Sequence, residues 1–140
     1  MKRQIIVDTG PVVALLNRKD RHHAWAETVW AEVEAPLLTC EAVVAESCYL
    51  LRNLDGGSFA VMELIRRGAV ALAFSLAEES QAVGRLIKRY RDVPISLADA
   101  CLVRMSELLT ESEVMTLDGD FRIYRRQGRR VIPTMMPGRP

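Results

Sequence analysis

The chain has 140 residues, with 19 Lys or Arg, 18 Asp or Glu and 49% hydrophobic side chains, so its formal net charge is only +1. This composition is typical of a globular protein, and the length suffices for one sizeable core but not two, so we expect residues 1–140 to form a single domain. No apolar run approaches the roughly 18 residues of a transmembrane helix, and Asp8 interrupts the first apolar stretch, which argues against a signal peptide. We therefore expect a soluble, cytoplasmic protein.

Short strands and helices are predicted to alternate along the chain. A strand over residues 4–7 ends at Asp8, and Pro11 suits the first turn of a helix over residues 11–18. Further helices are predicted over residues 22–33, 40–53 and 58–67, followed by a buried strand over residues 69–74. Ser75 and Ser96 begin capping-box patterns that open two more helices, the second ending near residue 109. The remaining predicted elements are a strand over residues 113–117, a short helix over residues 120–127 and a last strand over residues 130–133.

This alternation predicts an α/β fold in which a short parallel β-sheet is sandwiched between α-helices. Such sheets bind ligands outside the carboxyl ends of their strands. Asp8 directly follows the first strand, although an aspartate there can also simply cap the next helix. Asp118 repeats this placement after another strand, with Asp120 two residues on, and its alternative is an ordinary Asp-Gly surface turn. Two strand ends that both carry acids favour a site at this edge of the sheet.

Glu46 and Asp99 are acids on predicted helices. The helical neighbours of Glu46 at three and four residues are all apolar, namely Ala42, Val43, Tyr49 and Leu50. We therefore expect Glu46 on a buried face, where an unpaired glutamate is rare unless it binds a metal; the alternatives are an exposed or a protonated residue. Asp99 is explained by the capping box that Ser96 opens, yet it shares a side of its helix with Leu102 and Val103, so a structural and a functional role are both compatible with its position.

Convergence of Asp8, Glu46, Asp99 and Asp118 predicts a metal site. At separations of about 5 Å each ionised pair costs roughly 3 kcal/mol at an effective dielectric of about 20. The six pairs together exceed the net stability of a typical domain, about 5–15 kcal/mol, so either some acids are protonated or a divalent cation neutralises them. Oxygen-only ligands favour Mg²⁺ or Mn²⁺ over zinc, and such an ion suits phosphate chemistry. His22 and His23 are interpreted as solvated residues of a surface helix.

Basic residues are concentrated at the end of the chain, because residues 121–140 carry six arginines and no acid. Arg122, Arg125, Arg126 and Arg129 are spaced at three and four residues, which predicts one helical stripe beginning just after Asp118. We interpret this stripe as a contact surface for a phosphate backbone, with an ordinary solvated face as the alternative.

The pattern of these motifs resembles the PIN domain family, most closely the toxins of bacterial VapBC toxin-antitoxin pairs. The motifs that carry the resemblance are Ile6-Val7-Asp8-Thr9-Gly10-Pro11 with Ala14-Leu15-Leu16 behind it, Val43-Val44-Ala45-Glu46, Ser96-Leu97-Ala98-Asp99-Ala100 and Thr116-Leu117-Asp118-Gly119-Asp120-Phe121. None is specific alone, but the four in this order and spacing cover essentially the whole chain.

The resemblance implies a Mg²⁺- or Mn²⁺-dependent ribonuclease. Asp8, Glu46, Asp99 and Asp118 match the family's four acidic positions, Thr9 and Thr116 its small polar positions near the metal, and Asp120 an acid of variable role. Toxins of this family usually form homodimers, act on RNA and are inhibited by a cognate antitoxin protein whose tail enters the active-site groove.

Our hypothesis is hydrolysis of an RNA phosphodiester by water attacking in line, with a 3′-hydroxyl leaving, by a toxin encoded in a two-gene operon. Asp8, Asp99 and Asp118 would hold the metal, and Glu46 would be a further ligand or would position the nucleophile. The nearer alternative is a housekeeping PIN nuclease that processes RNA. More distant ones are a PIN fold retained as a binding module and a receiver-like signalling domain, which needs an acceptor Asp after its central strand, whereas the strand interpreted here as central ends at Phe74-Ser75.

Overall fold

The computed structural model describes residues 3–138 and consists of helices arranged around a parallel sheet. The helices are α1 (Thr9–Leu16), α2 (His23–Glu32), α3 (Glu41–Leu50), α4 (Gly57–Arg66), α5 (Leu76–Arg89) and α6 (Leu97–Leu108). The strands are β1 (Gln4–Val7), β2 (Leu37–Thr39), β3 (Val70–Leu72), β4 (Ser112–Met115), β5 (Arg125–Arg126), β6 (Arg130–Val131) and β7 (Thr134–Met135), and a short 3₁₀ helix spans Gly119–Arg122. In this range no helix is both long and apolar enough to cross a bilayer.

The main sheet has the strand order β3-β2-β1-β4-β7, and each neighbouring pair is parallel. The first strand, β1, is central, with Val7 opposite Met115 of β4. Because the strands are parallel, the residues that follow β1 and β4 emerge side by side at the carboxyl edge. The predicted α/β fold with a parallel sheet between helices is confirmed.

Both faces of the sheet are covered, as parallel sheets require. Side chains alternate along β1, so Ile6 faces one core and its neighbours Ile5 and Val7 face the other. The first core is built mainly with α5 and α6 and includes Leu102 and Tyr124. The second is built with α1, α2, α3 and α4. The helix that carries Asp99 packs in the first core, whereas the helix that carries Glu46 contributes Val43 to the first core and Val44 and Cys48 to the second.

Side-chain caps fix the starts of three helices; the two that follow Ser75 and Ser96 begin where the sequence predicts, whereas α1 begins at Thr9, two residues before its predicted start. Asp8 accepts a hydrogen bond from the Thr9 amide, and the hydroxyls of Ser75 and Ser96 accept from amides three residues on. His23 was expected to be solvated, but it is half-buried, and its Nδ1 lies 2.7 Å from the Ala14 carbonyl in the last turn of α1. The three cysteines are free, and Cys40 and Cys101 are buried.

The predicted helix over residues 120–127 is wrong. After one 3₁₀ turn the chain enters an antiparallel hairpin in which Arg126 of β5 pairs with Arg130 of β6. Gln127 and Gly128 form its turn with φ of 51° and 86°, backbone conformations that no α-helix contains. Of the last strand predicted over residues 130–133, only Arg130–Val131 forms a strand, β6, and it belongs to the hairpin. The strand β7 lies beyond the predicted range and joins the main sheet beside β4.

The strand interpreted as central, over residues 69–74, is observed as β3 and lies at an edge of the sheet. Leu72 of β3 is exposed, as expected of an edge strand. The interpretation of residues 69–74 as the central strand is therefore wrong: the central strand is β1, and Asp8 follows it, so the strand order does not argue against a receiver-like domain.

Candidate functional site

Four separate elements bring their acids to one open cleft at the carboxyl edge of the sheet. The cleft has a volume of about 390 Å³ and is lined by Asp8, Thr9, Gly10, Glu46, Leu50, Asp99, Leu117 and Asp118. Asp8 follows β1, Asp118 follows β4, Glu46 lies on α3 and Asp99 on α6. The structure therefore places the four sequence-predicted acids together, although they are widely separated along the chain.

Asp8 is buried, and hydrogen bonds hold both of its carboxylate oxygens. Its Oδ1 accepts from the Thr9 amide and its Oδ2 from the Thr116 hydroxyl, each at 2.7 Å. Burial, with smaller contributions from the charges of Asp118 and Glu46, raises the pKa of Asp8 to about 6, against the lowering effect of the two hydrogen bonds. The Asp8 carboxyl group thus has a fixed orientation, but its buried position disfavours the ionised form.

Asp99 lies in the first turn of its helix and also lines the cleft, a placement compatible with both of the roles that its sequence position suggested. Its amide donates to Ser96 Oγ at 3.0 Å, which begins α6, while its side chain reaches the cleft. The Tyr124 hydroxyl donates to Asp99 Oδ2 at 3.1 Å. Burial, and after it the charge of Asp8, raises the pKa of Asp99 to about 7. Two acids with raised pKa values in one cleft are a feature typical of functional sites.

Thr116 connects the two strand ends. Its hydroxyl donates to Asp8 and accepts from the Asp118 amide at 2.9 Å, while Asp118 Oδ1 in turn accepts from the Asp120 amide at 2.9 Å. Asp120 contributes this amide and is not among the residues that line the cleft. Thr9 lines the cleft, and within residues 3–138 its buried hydroxyl oxygen has no hydrogen-bond partner. Thr9 Oγ1 is therefore a candidate contact for a bound ion or its water.

Glu46 lines the cleft, but the expectation that it is buried is wrong. Its side chain is exposed at the rim. The helix α3 packs through Val43 and Ser47, while Tyr49 and Leu50 remain 61% and 52% exposed. Two of the apolar neighbours that suggested burial are thus themselves uncovered, and Glu46 shares their open face.

The chemistry of the donors fits a hard, partly hydrated cation. In the described part of the chain, no three His, Cys, Asp or Glu side chains form a ready-made ligand cluster. Within this range the four predicted acids therefore line one cleft without forming a preassembled ligand cluster, although the charges of their neighbours still raise the pKa values of Asp8 and Asp99. A wide cleft with carboxylates on several sides suits Mg²⁺ or Mn²⁺, which retain several water ligands and bind through one or two carboxylates at a time.

A model of the PIN domain family matches residues 5–127. The chain belongs to the PIN domain family. Among curated proteins, ribonuclease VapC26 of Mycobacterium tuberculosis (strain ATCC 25618 / H37Rv) is 30% identical over 117 residues, which cover 81% of this chain and 86% of VapC26. Among solved structures, Mycobacterium tuberculosis VapC20, described as a Sarcin-Ricin loop cleaving toxin, superposes with a TM-score of 0.75 at 23% identity, over 84% of this chain and 92% of VapC20. The predicted resemblance to VapC-type PIN domains is confirmed.

In this PIN domain the four arginines predicted to form one helical stripe divide into two pairs. The Arg125 guanidinium donates to the carbonyls of residues 122, 123 and 124, and that of Arg126 donates to the Ser106 and Thr110 carbonyls at the end of α6. Arg122 and Arg129 are exposed, and within residues 3–138 their guanidinium groups make no hydrogen bond or ion pair. The single stripe is wrong because this segment is a turn and a hairpin, and of the four arginines only Arg122 and Arg129 have guanidinium groups that are not engaged by backbone carbonyls.

Tyr124 contacts Asp99, a predicted site residue, but was not itself predicted from the sequence. Tyr124 is completely buried and packs edge-on against Phe121 and Tyr90, with ring centroids 5.3 and 5.2 Å apart respectively. The available signal was an aromatic pair, Phe121 and Tyr124, inside a run of arginines, which indicates that part of this segment is buried.

Proposed function

We propose that this PIN domain, residues 1–140, is a metal-dependent ribonuclease that hydrolyses RNA phosphodiester bonds, and that it is the toxin of a VapBC-type pair. The observation that carries the proposal is the cleft in which Asp8, Glu46, Asp99 and Asp118 meet, in a chain with a ribonuclease among its relatives. Two of these acids have raised pKa values, which a bound divalent cation would offset by favouring their ionised forms.

Asp8, Asp99 and Asp118 would hold Mg²⁺ or Mn²⁺, with Thr9 and Thr116 in support. When bound, the ion supplies positive charge to the phosphate oxygens and lowers the pKa of a bound water. Asp8 presents a fixed carboxylate, because neighbouring groups hold both of its oxygens. Asp118 is held through one oxygen, by the Asp120 amide.

Glu46 is suited to orient the attacking water and accept its proton, or to complete the ligand set. Its carboxylate is exposed at the cleft rim and can reach solvent, unlike that of Asp8. Water attacks the phosphorus in line, the 3′-oxygen leaves as a hydroxyl after taking up a proton, and a 5′-phosphate remains. Arg122 and Arg129 are the side chains available to hold the adjoining RNA backbone.

A cytoplasmic location follows from this function, because the RNA is there. We infer two protein partners, a second copy of the chain in a homodimer and a cognate antitoxin. Tyr49, Leu50, Phe59 and Met62 are large exposed apolar side chains on α3 and α4, and exposed apolar patches of this kind mark protein-binding surfaces. Leu50 also lines the cleft, so a protein bound there would obstruct it.

The proposal is tested by RNA cleavage with Mg²⁺ or Mn²⁺, with excess EDTA as the metal-free arm. We expect the wild type to cut RNA only with metal and Asp8→Asn to lose cleavage. Asp92→Asn is the matched control, since Asp92 is an exposed acid that does not line the cleft. Equal cleavage by wild type and Asp8→Asn would refute the proposal. A small gene directly upstream whose product blocks cleavage would establish the toxin role.

A further inference from the structure

We propose that Tyr124 is the positioning residue for Asp99: its buried hydroxyl fixes the direction in which the Asp99 carboxylate enters the cleft. This inference rests on the proposed function, because it assumes that Asp99 binds a metal ion there.

The contact is specific to one carboxylate oxygen. The Tyr124 hydroxyl donates to Oδ2 of Asp99 at 3.1 Å, and within residues 3–138 the Oδ1 atom accepts no hydrogen bond. A carboxylate held through one oxygen keeps the other available for a ligand. Because Tyr124 is 0% exposed, water does not compete for its hydroxyl.

Tyr124 cannot easily swing away. Its ring makes edge-on contacts with Phe121 and Tyr90, at interplanar angles of 85° and 67°. The backbone of Tyr124 is also fixed, because its amide donates to the Asp120 carbonyl at 3.1 Å. The donor that orients Asp99 is therefore itself held from three sides.

Asp99 needs such a donor more than Asp8 does. Asp8 lies at the end of a central strand and is oriented by the next residue's amide and by a neighbouring strand. Asp99 projects from a helix, and its own amide is used by Ser96 to begin that helix. In the described residues, Tyr124 is the one group that orients the Asp99 side chain through a hydrogen bond. Tyr124 thus orients the Asp99 carboxylate as Thr116 orients the Asp8 carboxylate.

The test compares Tyr124→Phe with Tyr90→Phe. Both variants lose one hydroxyl and keep the packed ring, but only Tyr124 contacts an acid of the cleft. We expect Tyr124→Phe to weaken Mn²⁺ binding, measured by titration calorimetry or by the Mn²⁺ EPR signal, by about 10-fold, the scale on which groups that orient a metal ligand act. Tyr90→Phe should bind Mn²⁺ within about twofold of wild type. In RNA cleavage, kcat should fall at limiting Mn²⁺ and recover at high Mn²⁺, with KM for RNA unchanged.

Wild-type Mn²⁺ affinity in a folded Tyr124→Phe variant would overturn the inference and leave the proposed function intact. No Mn²⁺ uptake by the wild type would overturn both. A second measurement needs no folded Tyr124 variant: with ¹³Cζ-labelled tyrosine, the chain's three tyrosines give three resonances. Saturation of the wild type with diamagnetic Mg²⁺ should shift the Tyr124 resonance most, and an unmoved Tyr124 resonance would contradict the inference.

Discussion

The Thr116 hydroxyl donates a 2.7 Å hydrogen bond to the Asp8 carboxylate, from the end of β4 to the end of β1. The same hydroxyl oxygen accepts from the Asp118 amide, so one side chain aligns the two acids that follow the central strands. The spacing of these acids is thus set by the register of the sheet and by a buried threonine.

Thr116→Val should destabilise the fold and lower RNA cleavage together. It keeps the shape of the side chain but leaves one Asp8 oxygen without its donor, a loss of about 1–3 kcal/mol in the free energy of unfolding. Thr39→Val is the control, since the Thr39 hydroxyl is also buried but donates to the Val7 carbonyl at 2.8 Å. Denaturant melts and cleavage assays would compare them. If both variants keep wild-type cleavage, Thr116 has only a structural role.

The metal-free protein should lose stability as pH rises, because the folded-state pKa values of Asp8 and Asp99, about 6 and 7, lie above the ordinary value of 3.8. Between about pH 4 and 7 the folded state binds more protons than the unfolded state, so the free energy of unfolding decreases with pH. In EDTA, Asp8→Asn should therefore gain about 1 kcal/mol relative to wild type from pH 5 to pH 8. A relative stability that does not change over this interval would contradict the raised pKa of Asp8.

Glu46→Gln should reduce cleavage by about 100-fold, the scale of a positioned proton acceptor, while leaving stability within about 0.5 kcal/mol. The small effect on stability follows from exposure at the cleft rim. Glu41→Gln is the matched control, because Glu41 is exposed on the same helix and does not line the cleft. Thermal melts should be superimposable for the two variants. Equal activities would remove Glu46 from the mechanism.

Arg122→Ala should affect RNA binding, whereas Arg126→Ala should affect stability. Arg122 is exposed, so its loss should weaken RNA binding, reduce the slope of log affinity against log salt by about 1, and leave the melting temperature unchanged. Arg126 donates to the carbonyls at the end of α6, so its loss should lower stability by about 1–2 kcal/mol. RNA binding is measured with each arginine variant combined with the catalytically inactive Asp8→Asn change, so that cleavage does not alter the affinity. A stable Arg126→Ala with an altered salt slope would reverse the assignment.

Gly57→Ala should destabilise the protein strongly, whereas Gly84→Ala should stabilise it. A Cβ at Gly57 would overlap the carbonyl oxygen of Leu51, where α4 begins close to the end of α3. A Cβ at Gly84, in the middle of α5, meets nothing within 4 Å, so alanine should add about 0.5–1 kcal/mol through its helix propensity. Chemical denaturation measures both changes. A stable Gly57→Ala would show that α3 and α4 can move apart.

The strand ends were predictable because the evidence for them is local. A β-branched run followed by an acid identifies Asp8, and the parallel topology then places Asp118 beside it. The exposure of Glu46 was not predictable in this way, since helical periodicity reveals an apolar stripe but not whether another element covers it, and Tyr49 and Leu50 are uncovered.

The segment after Asp118 shows a second limit. Arginines at intervals of three and four residues are compatible with a helix. The segment instead forms a turn and a hairpin, in which Phe121 and Tyr124 are buried and Gln127 has a positive φ. These depend on contacts with α5 and α6, which no local pattern contains. The Tyr124–Asp99 hydrogen bond became visible only with the fold.

The pairing of β1 with β4, in which Val7 lies opposite Met115, has a consequence for the order of events during translation. A nascent polypeptide that has not yet reached residue 112 lacks β4 and β7 of the sheet and one of the four carboxylates, that of Asp118. Prematurely terminated products of this length are therefore expected to be inert towards nucleic acid. The four acids of the cleft can meet only after the ribosome has added Asp118.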